Sequence, residues 1–227
     1  MIEAILTHFK IRFPFDKFYD NLLYNISTYP DYHITNKTFL KGYYSKNKTT
    51  HDSDKIKTNS GDVRVDLPVW FGNVNATCKL VVIGMEPRDT DKEGHLNIER
   101  VDNYVFATPF ALERPKGPYH SAFRDLTNHE DVFSYFTDVV KTYGVSGDKV
   151  QDDLHARQNF AQLAQEEKPF LLKELEIIKP TKIVALGNES FTFLKNFLGD
   201  KYNIQKVRHP SQGGATLARQ QLSDLLH

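Results

Sequence analysis

Hydrophobic and polar positions fall into regular blocks along the second half of the chain. Lys79-Leu80-Val81-Val82-Ile83-Gly84 holds consecutive apolar residues, mostly β-branched, closed by a glycine. That run predicts a buried strand ending in a sharp turn. Val132-Phe133-Ser134-Tyr135-Phe136-Thr137-Asp138-Val139-Val140-Lys141 predicts a second strand, interrupted near its end by Thr137 and Asp138. Pro180-Thr181-Lys182-Ile183-Val184-Ala185-Leu186-Gly187-Asn188 predicts a third, and residues 203–208 a short fourth. Between and after them the period changes to that of helices. Residues 152–179 carry an inward stripe of Leu171, Leu172, Leu175 and Ile178, with a break expected at Pro169. Residues 189–198 and 215–226 predict two more helices. Strands alternating with helices imply parallel pairing through right-handed crossovers. The C-terminal ends of such strands share one edge, where open α/β sheets bind ligands. Glu86, Asp138, Asn188 and His209 are predicted to converge there.

Upstream the pattern is weaker. Ile2, Ile5, Leu6 and Phe9 share a helical face, and Phe18, Leu22, Leu23 and Ile26 repeat it. Residues 1–27 are therefore expected to form amphipathic helices. Asn, Lys, Thr, Asp and Ser dominate from Lys46 to Asp62, so residues 45–61 predict a long mobile loop. Its lysines, Lys46, Lys48, Lys55 and Lys57, are expected in solvent. Residues 66–72 form an apolar lead-in, with Trp70 expected against the sheet edge. After the first strand the chain is polar to Asn103, apolar over 104–110, and rich in turn residues over 111–120. The expected architecture is a three-layer α/β/α domain over 78–227 around a central four-stranded parallel sheet. A helical N-terminal extension and mobile loop over 1–77 are expected to pack on it.

Composition narrows the chemistry. The 227 residues are enough for one domain with a sizeable core. Lys+Arg and Asp+Glu number 29 each, so net charge is zero and DNA binding requires a local basic face. The single cysteine, Cys78, excludes an intrachain disulfide and a Cys-ligated zinc or iron–sulfur site within one chain. No apolar run approaches ~18 residues, and the N-terminus lacks a basic region followed by an apolar core. No membrane partner is expected, and the location expected is cytoplasmic. The sequence contains no Gly-x-Ser-x-Gly elbow and no Gly-x-Gly-x-x-Gly loop.

Two stretches together resemble the uracil-DNA glycosylase superfamily. Its first motif is a strand leading to a Gly-x-(Asp/Asn/Ala)-Pro-(Tyr/Gly) turn, and here the turn is Gly84-Met85-Glu86-Pro87-Arg88. Its last is a strand leading to His-Pro-Ser, here His209-Pro210-Ser211. Between them, the strand ending at Gly187-Asn188 resembles the third-strand pattern, and residues 135–141 resemble the second, where members often carry Asn at the Asp138 position. The order and spacing agree over about residues 78–227.

The resemblance implies a monofunctional hydrolase of DNA repair by base excision, with no cofactor and no metal. A base leaves the stack, enters a pocket, and departs as negative charge while the sugar becomes oxocarbenium-like. Glu86, one methylene longer than the usual Asp, is the candidate to place water. His209 is the candidate to donate to the leaving base. Gly84, Met85, Pro87 and Asn188 are expected to line the base pocket, with Asn188 alternatively capping the helix from Glu189. Phe110 or Phe106 is the candidate stacking platform, and core packing is the alternative for both. Asp138 takes the place of the base-reading Asn, yet an acid donates only when protonated. Arg88, Arg208, Ser211, Gln212, Gly213 and Gly214 are expected to meet the DNA backbone, with Arg219 as a further phosphate contact and Leu217 as the nearest bulky wedge. The implied partner is DNA carrying a deaminated or damaged base. The alternative function is a non-catalytic member binding a small nucleobase, nucleic acid or protein.

Overall fold

The computed structural model describes residues 1–13, 58–87, 99–112, 117–129, 131–146, 148–211 and 213–226. Expectations for the helical pattern at 18–26, for the loop lysines, and for Arg88 and Gln212 lie outside these residues.

The expected parallel strands form, and they gain an edge. β1 (Val63–Asp66) and β2 (Val69–Phe71) precede β3 (Cys78–Gly84). β4 (Glu99–Val101), β5 (Tyr104–Ala107), β6 (Val132–Asp138) and β7 (Thr142–Gly144) follow, with β8 (Lys182–Leu186) and β9 (Ile204–Val207) last. The main sheet has the order β2-β6-β3-β8-β9. β6, β3, β8 and β9 are mutually parallel, and β2 runs antiparallel along β6. Trp70 is thus part of the edge strand itself, paired with Tyr135 and buried. A second sheet, β4-β5-β1-β7, was not foreseen. Its strands are three or four residues long, too short for a clear period. Residues 63–71, placed in the N-terminal extension from sequence, contribute a strand to each sheet.

Alternation along each strand builds two cores. Val81 and Ile83 of β3, Phe133 and Tyr135 of β6, and Ile183 and Ala185 of β8 face one layer. That layer is α1 (Ile2–Arg12), α4 (Lys149–Ile178) and α5 (Gly187–Leu198). Leu80, Val82, Phe136 and Val184 face the other, which contains α2 (Pro118–Ala122), α3 (Arg124–Asn128) and α6 (Ala215–Asp224). The result is the three-layer α/β/α arrangement with an N-terminal helix packed on α4. α1 is held there by His8, whose ring stacks on Phe170 at 3.8 Å, and by an Arg12–Glu167 ion pair.

α4 corrects one expectation. It runs unbroken for 30 residues through Pro169. Gln165 and Pro169 are both exposed, so the backbone bond that proline forfeits lies on the solvent side, where water can replace it.

Thr137 and Asp138, the polar interruption of β6, point to opposite faces. Thr137 donates to Glu174 Oε1 at 2.9 Å, as Tyr135 does at 2.6 Å. Lys141 Nζ donates to Thr137 Oγ1 at 2.6 Å and to the Asp138 carbonyl, and lies 2.5 Å from Glu174 Oε2. Lys141 and Glu174 are 0% exposed, so this is a fully buried ion pair closed by hydroxyls. Asp138 faces the other way. No helix among the described residues is long and apolar enough to cross a membrane.

Candidate active site

The ends of β3, β6 and β8 and the loop after β9 surround one cleft of about 920 Å³. Glu86, Asp138, Asn188 and His209 all line it, as do Gly84, Met85 and Phe110. The convergence expected from strand order is therefore present. Arg64, Asp66, Tyr119, His120, Phe160 and Glu189 line it as well and were not singled out from sequence.

The turn carrying Glu86 is fixed by its backbone. Val139 N–H donates to the Gly84 carbonyl at 2.9 Å and Val140 N–H to the Met85 carbonyl at 3.0 Å. The β3–β6 ladder thus continues beyond both strands, and buried Pro87 follows half-buried Glu86. Gly84 is required by packing. A Cβ there would lie 1.9 Å from Asp138 Oδ1 and 3.2 Å from Phe110 Cζ. The Asp138 carboxyl lies across the bare glycine.

His209 is held on both ring nitrogens. Ser211 N–H approaches Nδ1 at 3.3 Å, and Ser211 Oγ lies 2.7 Å from it. A backbone N–H only donates, so Nδ1 accepts and the ring proton is assigned to Nε2. Nε2–H then donates to the Tyr119 hydroxyl oxygen at 3.2 Å. Burial holds the imidazole pKa below its ordinary value of 6.5, helped by Arg208 and opposed by Glu189. A neutral donor therefore faces the cleft at neutral pH. Gly187, at φ +86°, turns β8 into α5 beside this ring; a Cβ on it would lie 3.3 Å from His209 Cβ.

Asp138 stands on the floor among buried charge. Asp138, Asp66 and Arg64 are 3%, 4% and 2% exposed. Arg64 Nε donates to Asp66 Oδ1 at 3.2 Å, and Asp66 hydrogen-bonds the Asp138 carboxyl. Burial first, and then the Asp66 charge, push the Asp138 carboxyl well above the usual carboxylate range. Asp66 is raised by burial and pulled back by Arg64. Asp138 Oδ2 is buried with no hydrogen-bond donor among the described residues.

One wall is aromatic. Phe110 packs 5.3 Å from Phe123 and 5.4 Å from Tyr119, ring centre to ring centre. Its backbone is left-handed, at φ 59° and ψ 18°, a conformation a bulky residue adopts at a cost of order 1–3 kcal/mol. Phe106, the other candidate platform, is fully buried in the core.

The remaining candidates separate. Asn188 is exposed in the first turn of α5, whose N-cap is Leu186 with no side-chain cap bond. It therefore faces the cleft and does not cap a helix from Glu189. Arg208 is exposed. Ser211 N–H is spent on His209, and Gly214 N–H on the Ser211 carbonyl at 3.1 Å. Those two amides are used within the loop, while Gly213 is exposed at φ +78°. Arg219 forms a two-point ion pair with Asp125, at 2.9 and 2.7 Å. Leu217 is 53% exposed near the start of α6.

The profile of the uracil DNA glycosylase superfamily matches residues 71–222 of this chain. No curated protein matches it.

Proposed function

The chain belongs to the uracil-DNA glycosylase superfamily, and we propose that it hydrolyses the N-glycosidic bond of a deaminated or modified base in DNA. Membership supports a DNA-glycosylase-like function and DNA as the general class of partner. One observation supports the finer reading. Glu86 and a neutral His209 donor line the same cleft, with the Phe110 ring on its wall.

The extruded base enters the cleft and stacks on Phe110. The Glu86 carboxylate orients water and offsets positive charge on the sugar. The water oxygen bonds to C1′ and its proton passes to Glu86. The base leaves with the electron pair of the broken bond. His209 Nε2–H turns from Tyr119 to the base oxygen, where negative charge grows. Solvent then protonates the released base.

The test uses oligonucleotides carrying uracil, hypoxanthine, xanthine or an oxidised pyrimidine, followed by alkali. Strand scission by the wild type that is lost in Glu86→Ala is the expected result. No scission on any of these substrates would end the catalytic reading. Zero net charge favours the alternative, a non-catalytic nucleobase-, nucleic-acid- or protein-binding member of this fold; nucleobase binding without release is its signature. Where the cleft takes a base, with or without catalysis, Phe110→Ala should weaken binding of free nucleobase about tenfold to a hundredfold. That corresponds to the ~1–3 kcal/mol of one base–aromatic stack. Titration calorimetry measures it, and Phe110→Tyr should bind nearly as the wild type does.

A further inference from the structure

We propose that Asp66 is a positioning residue for base recognition: it accepts a hydrogen bond from the protonated carboxyl of Asp138, so that Asp138 meets the base as a neutral acceptor, as the carbonyl of an amide would. The base-binding half of this rests on the function proposed above. The shared proton does not.

The geometry assigns the proton to one side of the pair. Two adjacent buried carboxyls cannot both ionise at neutral pH. Arg64 Nε bonds Asp66 and so favours the charge there. Lys141 bonds the backbone carbonyl of Asp138 and pairs with Glu174, and its charge opposes the Asp138 proton less than burial and the Asp66 charge favour it. Asp138 therefore keeps the proton and donates it to Asp66. Oδ1 lies over Gly84 at the cleft, while Oδ2 is buried with no hydrogen-bond donor among the described residues. With its one donor turned inward, Asp138 leaves the base a neutral acceptor, as the carbonyl of an asparagine amide would. Glu86, His120, Glu189 and His209 line the same cleft.

The protonation state matters because the departing base is an anion. A charged Asp138 would oppose that charge across a hydrogen bond, in a site where Coulomb terms are large. The unprotonated oxygen of a neutral Asp138 accepts a ring N–H without this repulsion. Asp66 thus acts through Asp138 and need not touch the base.

Isotope-edited infrared spectroscopy of full-length protein with ¹³C-labelled aspartate reads the pair directly. The expected result is a protonated carboxyl band at neutral pH that Asp138→Asn removes. In Asp66→Asn the same band should titrate lower by about one pH unit or more, since the neighbouring charge is gone. Binding of free uracil and hypoxanthine is measured beside it. Wild-type binding should fall as the band is lost at alkaline pH. Asp138→Asn should bind with no such fall, because its amide needs no proton. Asp66→Asn should weaken binding at neutral pH, and adding Asp138→Asn should restore it, which a merely misfolded variant would not do. Absence of the band in the wild type, a band that Asp66→Asn leaves in place, or binding indifferent to Asp66→Asn would overturn the proposal. A band that behaves as expected in a protein that binds neither base would overturn the recognition role and leave the shared proton standing. Base binding with all these shifts but no release from DNA would count against the glycosylase reading alone.

Discussion

His209→Ala is expected to slow base release by about 10²–10³-fold, the loss that follows removal of one donor to a developing oxyanion. Single-turnover scission of the best substrate measures it. The effect should fall on the chemical step and leave substrate affinity little changed, because the bond to the base oxygen strengthens as charge develops. The expectation rests on the tautomer. Ser211 N–H occupies Nδ1, so the only ring proton sits on Nε2. Protonating Nδ1 would set one N–H against another, and burial already disfavours the imidazolium. Activity should therefore stay level as pH falls to the ordinary histidine value of 6.5 and decline only below it. Stability has a related sign. The folded pKa lies below the unfolded one, so in acid the unfolded chain takes up the proton first. His209 thus begins to cost stability as pH drops through about 6.5. Tyr119→Phe removes the oxygen that holds Nε2 and should have a much smaller effect than loss of the ring.

Lys141→Ala is expected to destabilise the fold by about 3–5 kcal/mol, the range for removing one partner of a buried ion pair. Urea unfolding followed by fluorescence gives the number. Glu174 would be left 0% exposed, with two hydroxyl donors and no cation. The double replacement Lys141→Met/Glu174→Leu should recover most of the loss, because it removes both charges and fills their volume. A single variant as stable as the wild type would mean that water or a backbone shift relieves the carboxylate.

The parallel strands were legible because their apolar runs leave few alternatives, and their order forces the strand ends together. Glu86, Asp138, Asn188 and His209 met at one cleft for that reason. Features set by pairing across long separations were not legible. β1, β4, β5 and β7 are only three or four residues long, and they are strands because each finds a neighbour. Tyr119 and His120 fall in a stretch of turn residues, where two short helices formed instead. Arg64 and Asp66 had a readable signal. Val63-Arg64-Val65-Asp66 puts two opposite charges on one face of a strand whose last amide bonds the Lys141 carbonyl, just after β6. What the sequence could not reveal was that this face meets Asp138, one of the positions where the resemblance leads one to expect another residue.

Asp138 belongs to two networks at once. Its side chain enters the cleft, and its backbone carbonyl is gripped by Lys141 on the far side of the sheet. Substitutions in the layer of α1 and α4 therefore move the floor of the cleft without touching its lining. Divergence in substrate choice is then easiest at the rim, in the segments around Phe110 and after His209, where the described residues hold no buried ion pair that answers for the change. A survey of variants selected for a new substrate should find its hits there, with the floor left as it is.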